Sequence, residues 1–261
     1  MRYKLTLSYD GGKLCGWQVQ NNARSVQGEI ENALKILLGN EVTVTGAGRT
    51  DTGVNAIGYV AHFSFPSELP METAQLCYKL NAILPKEVII HAMDVVDDDF
   101  HARFDATSRE YHYFVHLKKD PFCEKYSYRC RTALDVESMN KAARYLRGTH
   151  DFSCFEKVGG NNKTSICTVT EATWEEYVPT HCSMMGYPCE KGDYLVFRIR
   201  ADRFLRNMVR AIVGSMLEVG KGKKSPEWFD SLIKDGCRSD AGASVPGNAL
   251  FFSGAVYKAA K

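Results

Sequence analysis

The chain alternates from end to end between segments with the two-residue apolar period of a β-strand and segments with the longer period of a helix. Leu5 and Leu7 alternate with polar residues, whereas Ile30 and Leu34 recur at helical spacing. Strands are predicted at 2–9, 41–45, 58–65, 88–96, 108–116, 166–176, 193–201 and 249–257, and helices at 26–38, 72–83, 136–146, 203–219 and from 226 onward. This pattern favours an α+β fold with mostly antiparallel or mixed sheets, one face covered by helices.

The length and composition permit two domains. The 261 residues are 44% hydrophobic and 25% charged, which is ordinary for one large or two modest globular domains. Linker-like composition is scarce, so the predicted domains, 1–104 and 105–261, are expected to pack closely. No apolar run is long enough for a membrane helix, and the N-terminus lacks signal-peptide features. Nine cysteines without a CxxC pair indicate reduced thiols in a cytoplasmic protein.

The stretch GAGRTDTGVNA, at residues 46–56, places three glycines around one arginine and one aspartate. Gly46, Gly48 and Gly53 permit unusual backbone angles and let another molecule approach the main chain closely. The stretch is not a P-loop, because no Gly-Lys-Ser/Thr follows. An aspartic protease would need a second D-T-G, since its chemistry uses two carboxylates that share a proton. From these residues alone, a tight strand connection capped by Asp51 remains the alternative.

In its full length, this stretch closely resembles the active-site motif of the tRNA pseudouridine synthase A family. Seven further motifs match that family's landmarks in the same order and cover nearly the whole chain. They are YDGGKLCGWQVQ at 9–20, SVQGEIENAL at 25–34, NAILPKEVII at 81–90, FHARFDATSREYHY at 100–113, LRGTHDFSCF at 146–155, RFLRNMVRAIVGSMLEVGKG at 203–222 and VPGNALFFSGAVY at 245–257. An ordered set of motifs is far more specific than any one of them.

The resemblance implies an isomerase that converts uridine to pseudouridine at positions 38, 39 and 40 of the tRNA anticodon stem-loop. The reaction breaks the N1–C1′ bond, rotates the uracil and rejoins it through C5, with no metal or cofactor. The implied pseudouridine synthase fold has two α/β-type domains whose mostly antiparallel sheets meet at a central RNA-binding cleft. The implied partners are tRNA and a second copy of the chain, with no membrane. Two alternatives stay open: a synthase for another RNA site, and a non-catalytic RNA-binding protein on the same fold.

By the same resemblance, Asp51 is the catalytic nucleophile. A guanidinium keeps such a carboxylate ionised in a water-poor cleft, and the family supplies it from the helix that matches NMVRAIVG, which points to Arg210. Tyr111 would lie against the target uracil and take part in proton transfer from C5, whereas plain strand packing is its alternative. Arg49 would hold the uridine outside the base stack, a conformation that costs a few kcal/mol.

Thr50 and Asn55 complete the predicted substrate contacts. Asn55 departs from the family, which usually has histidine at this place. Asparagine still donates and accepts hydrogen bonds, but it does not titrate near neutral pH. Catalysis by Asp51 is compatible with this departure. Any supporting role that the family's histidine has cannot be assigned to Asn55.

The segment 178–193 also departs from the family, because it is longer than the chemistry requires. His181, Cys182 and Cys189 invite a zinc site, with Cys167 nearby in the sequence. Their spacing is not a standard zinc pattern. A plain loop without metal is therefore expected.

Basic residues cluster in the middle of the chain and again after residue 197, although the net charge is only +2. They are Arg103, Arg109, Lys118, Lys119, Lys125, Arg129, Arg131, Arg144, Arg147, Arg198, Arg200, Arg203, Arg206, Arg210, Lys221, Lys223 and Lys224. Such residues favour an RNA footprint in which phosphate contacts dominate affinity and RNA shape selects the site. An ordinary solvated charge is the alternative for any one of them.

Overall fold

The computed structural model describes residues 1–157, 159 and 163–258. The chain forms two compact units: unit 1 comprises Met1–Arg109 and Phe252–Lys261, and unit 2 comprises Glu110–Phe251. In chain order the strands are β1 (Arg2–Tyr9), β2 (Thr45–Gly46), β3 (Asn55–Ser64), β4 (Val88–Val96), β5 (Ala106–His116), β6 (Tyr128–Arg129), β7 (Gly148–Asp151), β8 (Ile166–Glu176), β9 (Tyr194–Ala201) and β10 (Leu250–Tyr257). The helices are α1 (Val26–Leu38), α2 (Thr73–Ile83), α3 (Val136–Arg144), α4 (Thr180–Met185), α5 (Met208–Gly220) and α6 (Pro226–Asp235). The predicted division into domains at 1–104 and 105–261 stays a prediction.

Unit 1 is built on the strand order β4-β1-β3-β10. Strand β1 pairs antiparallel with both neighbours, so that Leu5 lies opposite Ala61 of β3 and Met93 of β4. Alternate residues of β1 are buried, as its two-residue period predicts. Helix α2 packs on β4 and α1 packs on α2. Helix α1 begins after Ser25, which accepts a hydrogen bond from the Gly28 amide, as predicted.

Unit 2 is built on the strand order β5-β9-β8-β7, with β6 parallel to the end of β5. Strand β8 pairs antiparallel with both β7 and β9. Helix α3 packs on β8 and contacts α5 and α6. Helix α5 is buried over most of its surface, because apolar and small residues surround it on nearly every side. The predicted α+β class with mostly antiparallel sheets is confirmed.

Three predicted elements are wrong in part. The strand expected at 41–45 is only the two-residue β2, since 41–44 form no ladder. The helix expected at 203–219 begins five residues later, because Asn207 adopts the left-handed φ of 66° and breaks the helical path. The plain loop expected at 178–193 contains α4, which ends at Gly186 in the left-handed conformation.

No helix in the described part of the chain is long and apolar enough to cross a membrane. All nine cysteines carry free thiols, and six of them are buried. A thiol that is buried among apolar groups resists ionisation.

His62 of β3 is held as a neutral side chain. Its Nδ1 accepts a hydrogen bond from the Ala102 amide at 3.1 Å, which requires an unprotonated nitrogen. Burial, followed by repulsion from His101 and Arg2, lowers the pKa of His62 to about 4, although Asp105 acts in the opposite direction. Protonation therefore costs the folded state more than it costs the unfolded chain.

We expect acid to destabilise the protein through His62 before its carboxylates titrate. His62 takes up a proton near pH 6.5 in the unfolded chain, whereas in the folded chain it stays neutral until about pH 4. The free energy of unfolding therefore decreases as the pH is lowered from 6.5 to about 4. Urea unfolding at a series of pH values measures this slope. The variant His62→Gln, whose side-chain oxygen can still accept the amide, should show a shallower slope. Equal slopes in both proteins would contradict the assignment.

Candidate active site

The glycine-rich stretch forms the connection between β2 and β3 in unit 1. Gly46 pairs with Ala61 across the two strands. The Ala47 amide then donates to the Val60 carbonyl at 2.8 Å, which extends the ladder into the loop. Both ends of the loop are thus fixed by the sheet. A side chain on such a short, doubly anchored connection has little freedom to move.

The segment before α1 holds the middle of the same loop through backbone hydrogen bonds. The Trp17 amide donates to the Thr50 carbonyl at 3.3 Å, and the Gly53 amide donates to the Leu14 carbonyl at 3.4 Å. These two contacts lie on either side of Asp51. The two family motifs at 9–20 and 46–56 therefore form one local structure around the aspartate.

Thr50 and Asn55 use their side chains inside unit 1. The Thr50 hydroxyl lies 2.8 Å from the Tyr9 hydroxyl, and the Asn55 side-chain oxygen accepts the Gly11 amide at 2.9 Å. Both residues are buried. Accepting a backbone amide requires no titration, so asparagine can hold this contact without a titratable group. The predicted contacts of Thr50 and Asn55 with substrate stay predictions.

Gly46 and Gly48 have different surroundings. A Cβ on Gly46 would lie 2.3 Å from the Tyr59 hydroxyl oxygen and 2.5 Å from the Trp17 ring. The close approach that this glycine permits is therefore made by the chain's own aromatic residues, and the expectation of a foreign molecule at Gly46 is wrong. A Cβ on Gly48 would meet no heavy atom within 4 Å.

We expect Gly46→Ala to destabilise the protein by about 1–3 kcal/mol, because the added methyl group overpacks the Trp17 and Tyr59 contact. Gly48→Ala is the matched control in the same loop. It should change the unfolding free energy by no more than about 0.5 kcal/mol, as surface substitutions usually do. Urea unfolding of both variants gives the comparison. Equal free energies of unfolding for the two variants would show that Trp17 and Tyr59 move aside without destabilising the protein.

Arg49 and Asp51 lie on the more open side of the loop. Arg49 is exposed and Asp51 is half-buried, whereas the intervening Thr50 is buried. The loop thus directs the side chain of Thr50 into the protein. Arg49 and Asp51, to which the family resemblance assigns roles in the reaction, remain accessible from outside. A carboxylate on a fixed loop, partly accessible, has the placement that a nucleophile requires.

Tyr111 lies on β5 in unit 2 and is only 7% exposed. Its ring packs edge to face with Phe204 at a centroid distance of 5.0 Å. The preceding Glu110 is paired with Arg200 and His112. Burial opposes ionisation of Glu110, but hydrogen bonds from Arg200 and His112 prevail and lower its pKa. Packing fixes the orientation of Tyr111, and its predicted role toward uracil stays a prediction.

Arg210 lies in the first turn of α5 and is partly exposed. Its Nε donates to the Val245 carbonyl at 2.7 Å, and the Val245 amide donates to the Arg210 carbonyl at 3.2 Å. The side chain is therefore oriented by the backbone of a distant segment. Sequence reasoning missed Val245 in this role, although VPGNA was among the matched motifs.

A segment that we call the strap, residues 242–246, crosses α5 at close range. A Cβ on Gly214 would lie 1.8 Å from the Ala243 carbonyl oxygen, so only glycine fits at this point of the helix. The Gly242 amide donates to the Ser215 hydroxyl at 2.8 Å. The strap thus holds Val245 against the helix that carries Arg210. A glycine in the middle of an apolar helix was the sequence signal for this contact.

Several residues of the predicted RNA footprint are paired with acidic side chains of unit 2. Lys118 pairs with Asp193 and Glu190, Arg198 with Glu175, Arg200 with Glu110 and Glu171, and Lys221 and Lys223 with Glu218. Paired charges attract phosphate less strongly. For these five residues, an ordinary surface charge is a better interpretation than a contact with RNA phosphate.

One group in the described part of the chain has metal-ligating side chains close together: Asp120, Cys123 and His181. Only His181 belonged to the set considered from the sequence. Cys167 lies elsewhere, on β8 opposite His150 of β7.

A family model described as tRNA pseudouridine synthase matches residues 142–258, which include the segment that carries Arg210 and the strap.

Relatives over the full length give the particular family. The tRNA pseudouridine synthase A of Porphyromonas gingivalis is 44% identical over 98% of this chain and 97% of its own. That of Bacteroides thetaiotaomicron is 46% identical over 98% and 90%, and that of Bacillus subtilis strain 168 is 39% identical over 98% and 99%. The chain belongs to the tRNA pseudouridine synthase A family, a family of isomerases.

Proposed function

We propose that this protein isomerises uridine to pseudouridine at positions 38, 39 and 40 of the tRNA anticodon stem-loop, with Asp51 as the nucleophile. Full-length identity of 39–46% to relatives named tRNA pseudouridine synthase A is the observation that carries the proposal. The anchored Asp51 loop in unit 1 supports it, because a fixed carboxylate is what the reaction needs.

The chemistry balances within the nucleotide. The N1–C1′ bond breaks, the uracil turns while it is held in the site, and a C5–C1′ bond forms. C5 then loses its proton and N1 gains one, so no oxidant or reductant is consumed. Asp51 acts as nucleophile toward the sugar or the base and stabilises the separated pair until the new bond forms. The rigid loop lowers the entropic cost of bringing the carboxylate to the reacting atoms.

The same proposal assigns roles to three more residues. Arg210 provides the positive charge that keeps the nucleophile ionised, and the Val245 carbonyl orients its guanidinium. Tyr111 positions the uracil ring and takes part in removal of the C5 proton. Arg49, which is exposed on the loop, stabilises the uridine outside the base stack.

Pseudouridine mapping tests the function. The purified protein is incubated with unmodified tRNA, and pseudouridine is located by a chemical adduct that stops reverse transcription. Stops at positions 38 to 40 are expected with the wild type and not with Asp51→Asn. Stops at another position would replace the proposed site, and no stops on any tRNA would overturn the proposed activity.

We also propose that the protein acts as a homodimer that grips the body of the tRNA with one copy while the other copy receives the uridine. Binding should then weaken steeply with salt, because several phosphate contacts release counterions. An isolated anticodon stem-loop should be a much poorer substrate than whole tRNA. Solution mass and the two rates, measured at one salt concentration, test this. A monomer that modifies both substrates equally fast would contradict it.

A further inference from the structure

A second group of reactive side chains lies in unit 2, outside the proposed active site. It joins the turn after β5 to α4 and to the segment that leads into β9. We call it the Asp120 cluster, and it consists of Asp120, Cys123, His181, Cys182 and Cys189. None of these residues has a part in the proposed isomerase chemistry.

A tight turn brings the first two members together. The Phe122 amide donates to Asp120 Oδ1 at 2.9 Å, and the Cys123 amide donates to the Asp120 carbonyl at 3.2 Å. This geometry places the carboxylate and the thiol, three residues apart, on the same side of the turn. Two intervening residues fall within the spacing that paired ligands of structural zinc sites use.

The histidine reaches the same point from α4. His181 Nε2 lies 2.7 Å from Asp120 Oδ2, and the ligand atoms of Asp120, Cys123 and His181 all lie within 4.8 Å of one another. Tetrahedral zinc with ordinary bond lengths separates its ligand atoms by roughly 3.3–3.8 Å. Shifts of about one ångström therefore convert the observed group into a coordination sphere.

A further thiol lies in the same small core. Cys182 Sγ lies 3.6 Å from the Tyr194 hydroxyl, which itself donates to Asp120 Oδ2 at 2.7 Å. Cys182 and Tyr194 are buried together with Cys123, and Cys189 packs against this core. Cys182 is therefore the candidate for a fourth ligand, and its thiol must move closer to join the group of Asp120, Cys123 and His181.

The Asp120 carboxylate is buried and held by hydrogen bonds. Its side chain is 1% exposed, it accepts from the Phe122 amide and the Tyr194 hydroxyl, and it contacts His181 Nε2. Among these partners only His181 can bring a positive charge, and only when it is protonated. A metal ion would neutralise the carboxylate and displace the thiol protons.

A nucleophilic cysteine is the competing interpretation of a Cys, His and Asp group. A catalytic cysteine is normally partly exposed, so that its substrate can reach it. Here Cys123 is only 8% exposed and Asp120 is fully buried, which leaves little access for a substrate. The chemistry of a ligand set fits it better than the chemistry of a nucleophile.

We propose that Asp120, Cys123, His181 and Cys182 form a structural zinc site that ties the turn after β5 to α4. Zinc suits a mixed set of thiolate, imidazole and carboxylate ligands, and a closed four-ligand site without bound water is typical of structural zinc. Cys189, whose thiol contacts that of Cys182, serves as an outer hydrogen-bond partner. The assignment replaces the sequence expectation of no metal.

Elemental analysis of the protein, purified without chelator, tests the proposal. We expect zinc in a stoichiometric amount, retained by Cys237→Ser, an exposed cysteine outside the cluster, and lost by Cys123→Ser and His181→Ala. Zinc absent from the wild type, or equal in the wild type and His181→Ala, would overturn it.

A cobalt titration keeps the test valid if those variants do not fold. The wild type is stripped with a chelator, checked for folding by circular dichroism, and titrated with Co(II). Thiolate-to-cobalt charge transfer and the visible bands of tetrahedral cobalt are expected, together with a rise in Tm on adding Zn(II). A folded, stripped protein that shows neither the bands nor the Tm shift would contradict the site. Turnover on tRNA, measured well below Tm, should survive stripping, because none of the proposed zinc ligands has a part in the proposed isomerase chemistry.

Discussion

Asp51→Asn is expected to lower the rate of pseudouridine formation by about 10⁴–10⁶-fold, the range that loss of one catalytic triad residue costs a hydrolase. Asparagine has nearly the same shape as aspartate, so the loop should keep its anchors to Trp17 and Leu14. Its amide is a very poor nucleophile. Asp51→Glu should fail for a different reason, because one extra methylene group misplaces the carboxylate on a loop that cannot adjust.

The measurement is single-turnover conversion of tRNA, with tRNA affinity determined in parallel. Affinity should not fall, since losing a negative charge does not weaken contacts with phosphate. Asp99→Asn, the same chemical change at an exposed site of unit 1, is the control and should react at the wild-type rate. Turnover by Asp51→Asn near the wild-type rate would remove Asp51 from the nucleophile role.

Arg210→Ala should lower turnover by about 10²–10³-fold, the usual cost of losing one fixed charge-stabilising group. Arg210→Lys should recover only part of the loss, because an ammonium group restores the charge but not the planar contact with the Val245 carbonyl. Arg198→Ala, which removes an arginine paired with Glu175 at the surface of the same unit, is the matched control and should keep turnover.

Turnover and stability must be separated for Arg210. If the arginine only holds the strap to α5, Arg210→Ala would lower the urea midpoint and leave single-turnover conversion by the folded enzyme unchanged. The proposed role predicts instead that the fully folded variant loses most of its single-turnover conversion. Near-wild-type conversion by the folded variant would show that another cation serves the nucleophile.

The sequence predicts the regular elements well where a period is long and a cap is present. Helix α1 begins after Ser25 as predicted, because the cap and the apolar spacing agree. Helix α5 begins late because Asn207 is left-handed, and the Asn207 side chain donates to Ser244 of the strap, 37 residues away in the sequence. Contacts between distant segments carry no local pattern, so periodicity alone does not reveal them.

The residues of the candidate site are also predictable only in part. Motif resemblance selects Asp51 and Arg210 directly, since their types and spacing follow the family. It does not reveal that Thr50 and Asn55 are buried anchors, because their partners Tyr9 and Gly11 belong to another motif. Nor does it join Asp120 to His181, since 61 residues separate them in the chain.

The Val245 anchor of Arg210 uses only main-chain atoms of the strap. Any residue at 245 provides the same carbonyl, and the following Pro246 restricts residue 245 to an extended backbone that keeps the carbonyl in place. The chemical type of the side chain at 245 therefore does not set the position of the arginine, whereas Pro246 and the glycine beneath the strap fix the backbone that does. Constraint at this site should appear as conserved backbone geometry more than as conserved side-chain chemistry.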